Sequence, residues 1–151
     1  MTNEELKAYL TKNFPEAEIA DGPQYIELTV KPELLVETSK KLKESSETLF
    51  DYLFCLTGVD YPDCMGVIYH IESTKFHHEM VIKVKTTNRT EPVIESVRSV
   101  WQTAKYHERE VYDLLGVKFS NHNDLRRLFL DDDWGFPLRK DYTDEVRIIE
   151  R

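Results

Sequence analysis

Apolar side chains recur at helical spacing near the start of the chain, where Leu6, Tyr9 and Leu10 follow Thr2-Asn3-Glu4-Glu5. The spacing predicts a short amphipathic helix with Thr2 as its N-cap and Pro15 closing the segment. Residues 25–30, Tyr-Ile-Glu-Leu-Thr-Val, are rich in β-formers. With residues 17–20 they flank Asp21-Gly22-Pro23, which predicts a hairpin. Pro32 suits the first turn of a second helix, with Leu34, Leu35, Thr38 and Leu42 as its inner stripe.

Residues 50–59 are apolar and aromatic enough for a buried strand, Tyr61-Pro62-Asp63-Cys64 reads as a turn, and residues 65–71 read as the returning strand. Residues 79–85 set Met80, Ile82 and Val84 against Val81, Lys83 and Lys85, a third strand with one wetter face. Thr90-Glu91-Pro92 predicts the start of a helix through Val93, Val97 and Val100. Residues 107–115 predict another, with Gly116 as its C-cap. The expected fold is α+β, a mainly antiparallel sheet with helices packed on one side. Beyond Val117 the pattern breaks into short apolar pieces between dense charges. Trp134, Phe136, Leu138 and Tyr142 are costly to expose together, so this stretch is expected to lie against something. Residues 1–119 are accordingly read as the α+β domain and residues 120–151 as an extended, charged docking tail of the same single domain.

With 151 residues and 40% hydrophobic content, one domain can bury a sizeable core without metal or disulfide. The formal charge of -8 argues against nucleic acid and anionic lipid headgroups as ligands. No apolar run approaches the roughly 20 residues of a membrane span, and the acidic start is unlike an export or import leader, so a soluble, unexported chain is expected. Cys55 and Cys64 stand alone, without the partners that a metal cluster needs.

His107-Glu108 begins like a zinc-protease motif, but Val111 stands where the second His belongs. His77 and His78 are neighbours on a strand edge that point to opposite faces, suited to solvent contact or turn hydrogen bonds. With 5 glycines and no phosphate-cradling loop, nothing supports nucleotide or flavin binding. Carboxylate pairs such as Glu108 with Glu110 fit a solvated or salt-bridged role better than acid/base work. On the helix around them, Arg109 and Asp113 are spaced to pair with each other.

Two later blocks, Asp124-Leu125-Arg126-Arg127-Leu128 and Pro137-Leu138-Arg139-Lys140-Asp141-Tyr142, set charges among apolar residues. Such a mixture suits a seam between two proteins or an internal network, and the sequence leaves both open. The seam reading expects these charges to matter more for assembly than for folding.

Taken together, residues 106–117, the blocks above and Asp132-Asp133-Trp134-Gly135-Phe136 resemble the signature of the complex I thirty-kilodalton-subunit family. The departures are Asn123 and Thr143, where the family commonly has Pro. The resemblance implies a structural signature in Glu108, Arg109, Glu110, Asp113 and Gly116. It also implies a partner interface comprising Arg126, Arg127, Trp134, Phe136 and Leu138, continued by Arg139, Lys140, Asp141 and Tyr142. No catalytic, cofactor-binding or metal-ligating residue is expected in this chain. FMN and iron-sulfur clusters are expected in partner subunits. The implied role is a cofactor-free peripheral-arm subunit of a proton-translocating NADH:quinone oxidoreductase. It would dock against the forty-nine-kilodalton D subunit at the cytoplasmic face of a bacterial membrane. The alternative is the equivalent subunit of an energy-converting hydrogenase or a ferredoxin-dependent relative. An independent enzyme using Glu108 and Glu110 is the rival from another class.

Overall fold

Thr2 caps the first helix through a reciprocal pair of bonds. Its hydroxyl accepts from the Glu5 N–H at 3.3 Å, and the Glu5 carboxylate accepts from the Thr2 N–H at 2.8 Å. The structure, a computed structural model, describes residues 1–146; the last five residues of the expected tail, 147–151, lie outside the described residues. Helix α1 (Asn3–Asn13) buries Leu6 and Leu10. The hairpin of β1 (Glu18–Asp21) and β2 (Ile26–Val30) follows, then a 3-10 turn at Pro32–Leu34 and helix α2 (Leu35–Glu44), which buries Leu35, Thr38 and Leu42. Strands β3 (Tyr52–Asp60), β4 (Met65–Glu72) and β5 (Glu79–Lys85) form an antiparallel meander.

The five strands lie in the order β1-β2-β5-β4-β3. Three of the four ladders of this sheet are antiparallel, in line with the expected mainly antiparallel sheet, and the fourth is parallel: β2 runs alongside β5, from Ile26 opposite Met80 to Val30 opposite Val84. Hydrophobic alternation sets which face of a strand is buried but is silent about which strand lies beside it. Leu28, Val67, Tyr69 and Ile82 on one face join Leu6, Leu10, Leu35, Leu42 and Trp101 in a single core, which makes this an α+β fold with its helices on that face. A bulge between Leu53 and Cys55 lets Leu53 and Leu56, three positions apart, both reach the core.

The helix expected after Pro92 does not form. Val93-Ile94-Glu95 is strand β6, paired in parallel with β7 (Lys118–Ser120), and residues 97–104 make tight turns instead. β-branched Val93 and Ile94 favour the extended form, and the Val97 N–H, which a helix would need, is taken by the Glu108 carboxylate at 2.8 Å. Helix α3 (Ala104–Leu115) then lies across β3, where a side chain on Gly58 would collide with Leu115 and Val111. His78 departs from the wetter setting read for it: it is buried, with its ring 2.8 Å from the Thr48 carbonyl, while His77 is exposed in a left-handed turn. No helix among the described residues is long and apolar enough to cross a membrane.

Candidate functional site

Beyond β7 the described chain forms no further helix or strand and is held by side chains of α3. Asp113, fully buried, receives the Leu128, Phe129 and Leu130 N–H groups on Oδ2 at 3.2, 2.7 and 3.1 Å, and Arg127 Nη1 on Oδ1 at 3.0 Å. Burial alone would raise its pKa. The Phe129 N–H, Arg127 and the other two amides outweigh that and hold it below the ordinary carboxylate range. Arg109 and Asp113, spaced to pair with each other, bind the tail instead: Arg109 donates to the carbonyls of Arg126 and Arg127 at 3.2 and 2.9 Å. One turn of helix thereby fixes residues 126–130.

Arg127 also donates to the carbonyls of Asp113, Trp134 and Gly135. Its guanidinium carbon lies 5.3 Å from the centre of the Phe136 ring, and that of Arg139 lies at 4.9 Å, so the ring packs against both cations. Arg139 Nε donates to the Leu115 carbonyl at 2.7 Å, and its Nη atoms donate to the Thr90 carbonyl. Gly116 ends α3 at φ +76°, and a Cβ there would stand 2.6 Å from Arg139 Nη2 and from Phe136 Cδ2. Position 116 therefore needs glycine twice, for its backbone and for its neighbours.

A second clasp lies at the end of β3. Buried Asp60 is paired bidentately with Arg89 at 2.9 and 2.7 Å, and it accepts the Lys140 N–H at 2.8 Å. Arg89 reaches Asp141 at 2.9 Å as well, so one guanidinium ties the sheet to the tail. The sequence reading missed Arg89 and Asp60. Their contacts span 29 and 52 residues, and a single Arg in a polar loop carries no local signal for them.

Glu108 is wholly buried, accepting from Ser96 Oγ at 2.5 Å and from the Val97 N–H. Burial pushes its pKa up to about 7. His122 Nε2 stands 3.8 Å away, but it is also 3.0 Å from the Lys105 carbonyl, and Nδ1 accepts the Asp124 N–H. These partners fit a neutral ring with its proton on Nε2. Glu110 is exposed, so the two carboxylates of the rival enzyme reading do not converge. Among the described residues no group of three or more His, Cys, Asp or Glu could hold a metal ion.

Of the residues expected at a partner seam, Arg127, Arg139 and Asp141 have their charged groups engaged within the chain, as the internal alternative supposed. The weighting of assembly over folding is revised for these three. Arg126 is exposed and bound to Asp124 at 3.0 Å. Trp134 and Phe136 are half-buried, and Tyr142 donates to Asp144 at 2.8 Å. Lys140 and Leu138 are exposed, Leu138 at 60%, although its N–H donates to the Leu114 carbonyl. Phe129, at 66%, is an exposed aromatic of the tail that the expected seam did not include.

The fold and this strapped C-terminal segment define a small α+β domain whose long irregular coil is held on its last helix. The chain belongs to the family described as respiratory-chain NADH dehydrogenase, 30 Kd subunit, whose pattern matches residues 28–146. It is 43% identical over 121 residues to the C/D subunit of the NADH-quinone oxidoreductase of Phocaeicola vulgatus, a match that covers 79% of this chain and 23% of that relative. This chain thus spans about a quarter of that protein's length. With the C subunit of the Chlorobium phaeobacteroides NADH-quinone oxidoreductase the identity is 41% over 135 residues, covering 87% of this chain and 75% of the other. A chain in the structure of the membrane-bound sulfane sulfur reductase, an archaeal respiratory membrane complex, has the same fold. The TM-score is 0.81 at 22% identity, over 98% of this chain and 93% of that one.

Proposed function

We propose that this chain is the C subunit of a proton-translocating NADH:quinone oxidoreductase, a non-catalytic piece of the peripheral arm that docks against the D subunit. The observation that carries the reading is the tail. Its backbone and the guanidiniums of Arg127 and Arg139 are held from within, while Phe129 and Leu138 remain exposed at 66% and 60%. A rigid coil presenting apolar side chains loses little freedom on binding, which favours a permanent seam. The Phocaeicola relative bears the double designation C/D, which supports a D-type neighbour. In this reading Arg126, Trp134, Lys140 and Tyr142 supply the polar and aromatic rim of the seam.

In this reading the chain holds no prosthetic group, FMN and iron-sulfur clusters reside in partner subunits, and the complex carries the chain to the cytoplasmic face of the membrane. Purification of the tagged chain from its native membrane, with identification of co-purifying subunits, tests the proposal. A D-type subunit and an NADH-binding flavoprotein subunit are expected in the same particle. Recovery of the chain alone would overturn the reading, and a nickel-ligating large subunit in place of the flavoprotein would move it to the hydrogenase branch.

A further inference from the structure

Between the turns that follow β6 and the loop that follows β7, the surface opens into a cleft of about 630 Å³, whose walls include Arg98, Gln102, Lys105, Tyr106, Asn121 and Asn123. Its composition is unlike that of the chain. Acidic residues outnumber basic ones 28 to 20 over the sequence, yet the lining contains two cations and no carboxylate. The acids of neighbouring elements are engaged. Asp124 is bound to Arg126 at 3.0 Å and Lys105 at 3.5 Å, Glu95 accepts from Asn121 at 3.1 Å, and Glu108 is buried against Ser96.

Two lining residues stand out. Arg98 is half-buried in the wall of the cleft, and its Nη1 has no hydrogen-bond partner among the described residues. Tyr106 is 57% exposed, with Lys105 Nζ 5.2 Å and Arg109 Cζ 5.9 Å from its ring centre. A guanidinium and an ammonium beside an exposed phenol suit carboxylates borne on a polypeptide, the cations as partners and the ring as an apolar flank. The cleft is much larger than a phosphate or sulfate ion and open to solvent, which favours a segment of chain over a small anion.

We propose that this cleft receives an acidic segment of a neighbouring subunit, a loop or terminus whose Asp or Glu side chains pair with Arg98 and Lys105 while Tyr106 packs alongside. The proposal rests on the reading of the chain as an assembly piece, and it uses none of the tail residues 126–142. It is tested in the membrane complex with a photo-crosslinking amino acid at position 102 of the full chain and mass-spectrometric mapping of the product. The expected crosslink joins position 102 to a partner segment carrying at least two acidic residues. Arg98→Glu with Lys105→Glu should lower co-purification by about tenfold or more, as truncated interface charges do. Reversing the acids of the mapped segment to Lys should restore it. Arg98→Gln with Lys105→Gln, which removes charge without reversing it, should show a smaller loss in the same direction if the reversal variant fails to fold.

Crosslinks confined to this chain, or to a segment without acids, overturn the proposal. So does assembly of both double variants at the wild-type level, and so does binding of inorganic phosphate at the cleft amides with no partner crosslink. If the unaltered chain co-purifies with no oxidoreductase subunit, the broader reading falls as well. If it co-purifies and the variants do too, only the cleft assignment falls.

Discussion

Gly116 is the residue where sequence and geometry make the same demand. Left-handed backbone at φ +76° resists any β-branched side chain, and Arg139 and Phe136 already occupy the space a Cβ would enter. Gly116→Val should cost about 2 kcal/mol or more, lowering the melting temperature of the purified chain by roughly 4–8 °C. Melting alongside wild type would refute the placement. Glu108 sets a different test. Its pKa rises from the ordinary 4.5 to about 7 through burial, so its stabilising share is full below about pH 4.5 and is lost as pH climbs through 7. The loss is on the order of 3 kcal/mol at most. Glu108→Gln should therefore flatten the fall in melting temperature between pH 5 and pH 8, and an unchanged slope would show that the carboxylate is not the group responsible. Asp113 and Asp60 have the opposite sign, since both are held below the ordinary range; their stabilisation is lost only as pH falls below about 4. Gly116 was legible from its place directly after the amphipathic helix α3. The burial of Glu108 was not, because Ser96 and Val97, which enclose it, sit in turns where the spacing of the valines suggested a helix.

At the scale of elements, the strap from α3 to the tail should behave as part of the fold. Asp113→Ala would strand three backbone N–H groups and a guanidinium in a buried site, and breaking such a pair from one side costs about 3–5 kcal/mol. The isolated variant should melt far below wild type and be cut faster by trypsin at Arg126 and Arg127. Arg139→Ala should also lower the melting temperature, because Arg139 ties Leu115 to Thr90. Lys41→Ala, which breaks the exposed pair with Glu37 on α2, should shift it by only a degree or two. Equal effects from Asp113→Ala and Lys41→Ala would mean that the strap is superficial. The regular elements were largely readable: capped α1, the β1–β2 hairpin, the β3–β5 meander and the end of α3 each follow from spacing and turn chemistry. Residues 93–100 were not, since valines at helical spacing fit a helix as well as a short strand followed by turns. What decided between them was β7, 25 residues downstream of Val93.

At the scale of the whole molecule, no group of three or more His, Cys, Asp or Glu among the described residues could hold a metal ion, and both cysteines are free. The purified chain should be colourless, hold no iron, zinc or flavin near one equivalent, and leave NADH unoxidised; elemental analysis and an absorbance assay check this. A stoichiometric cofactor would overturn the assignment of chemistry to partner subunits. What remained hidden at this scale was which strand lies beside which, and the parallel ladder of β2 on β5 has a consequence for synthesis. Val30 finds its place only when Val84 exists. At roughly 5–20 residues per second, the ribosome needs about 3–10 s to make the intervening stretch. Through that interval β1 and β2 are a lone ribbon, marginal in water by itself, with Ile26, Leu28 and Val30 uncovered. Residues 18–30 of the nascent chain are thus open, through that interval, to chaperone capture and to mispairing with another polysome's product.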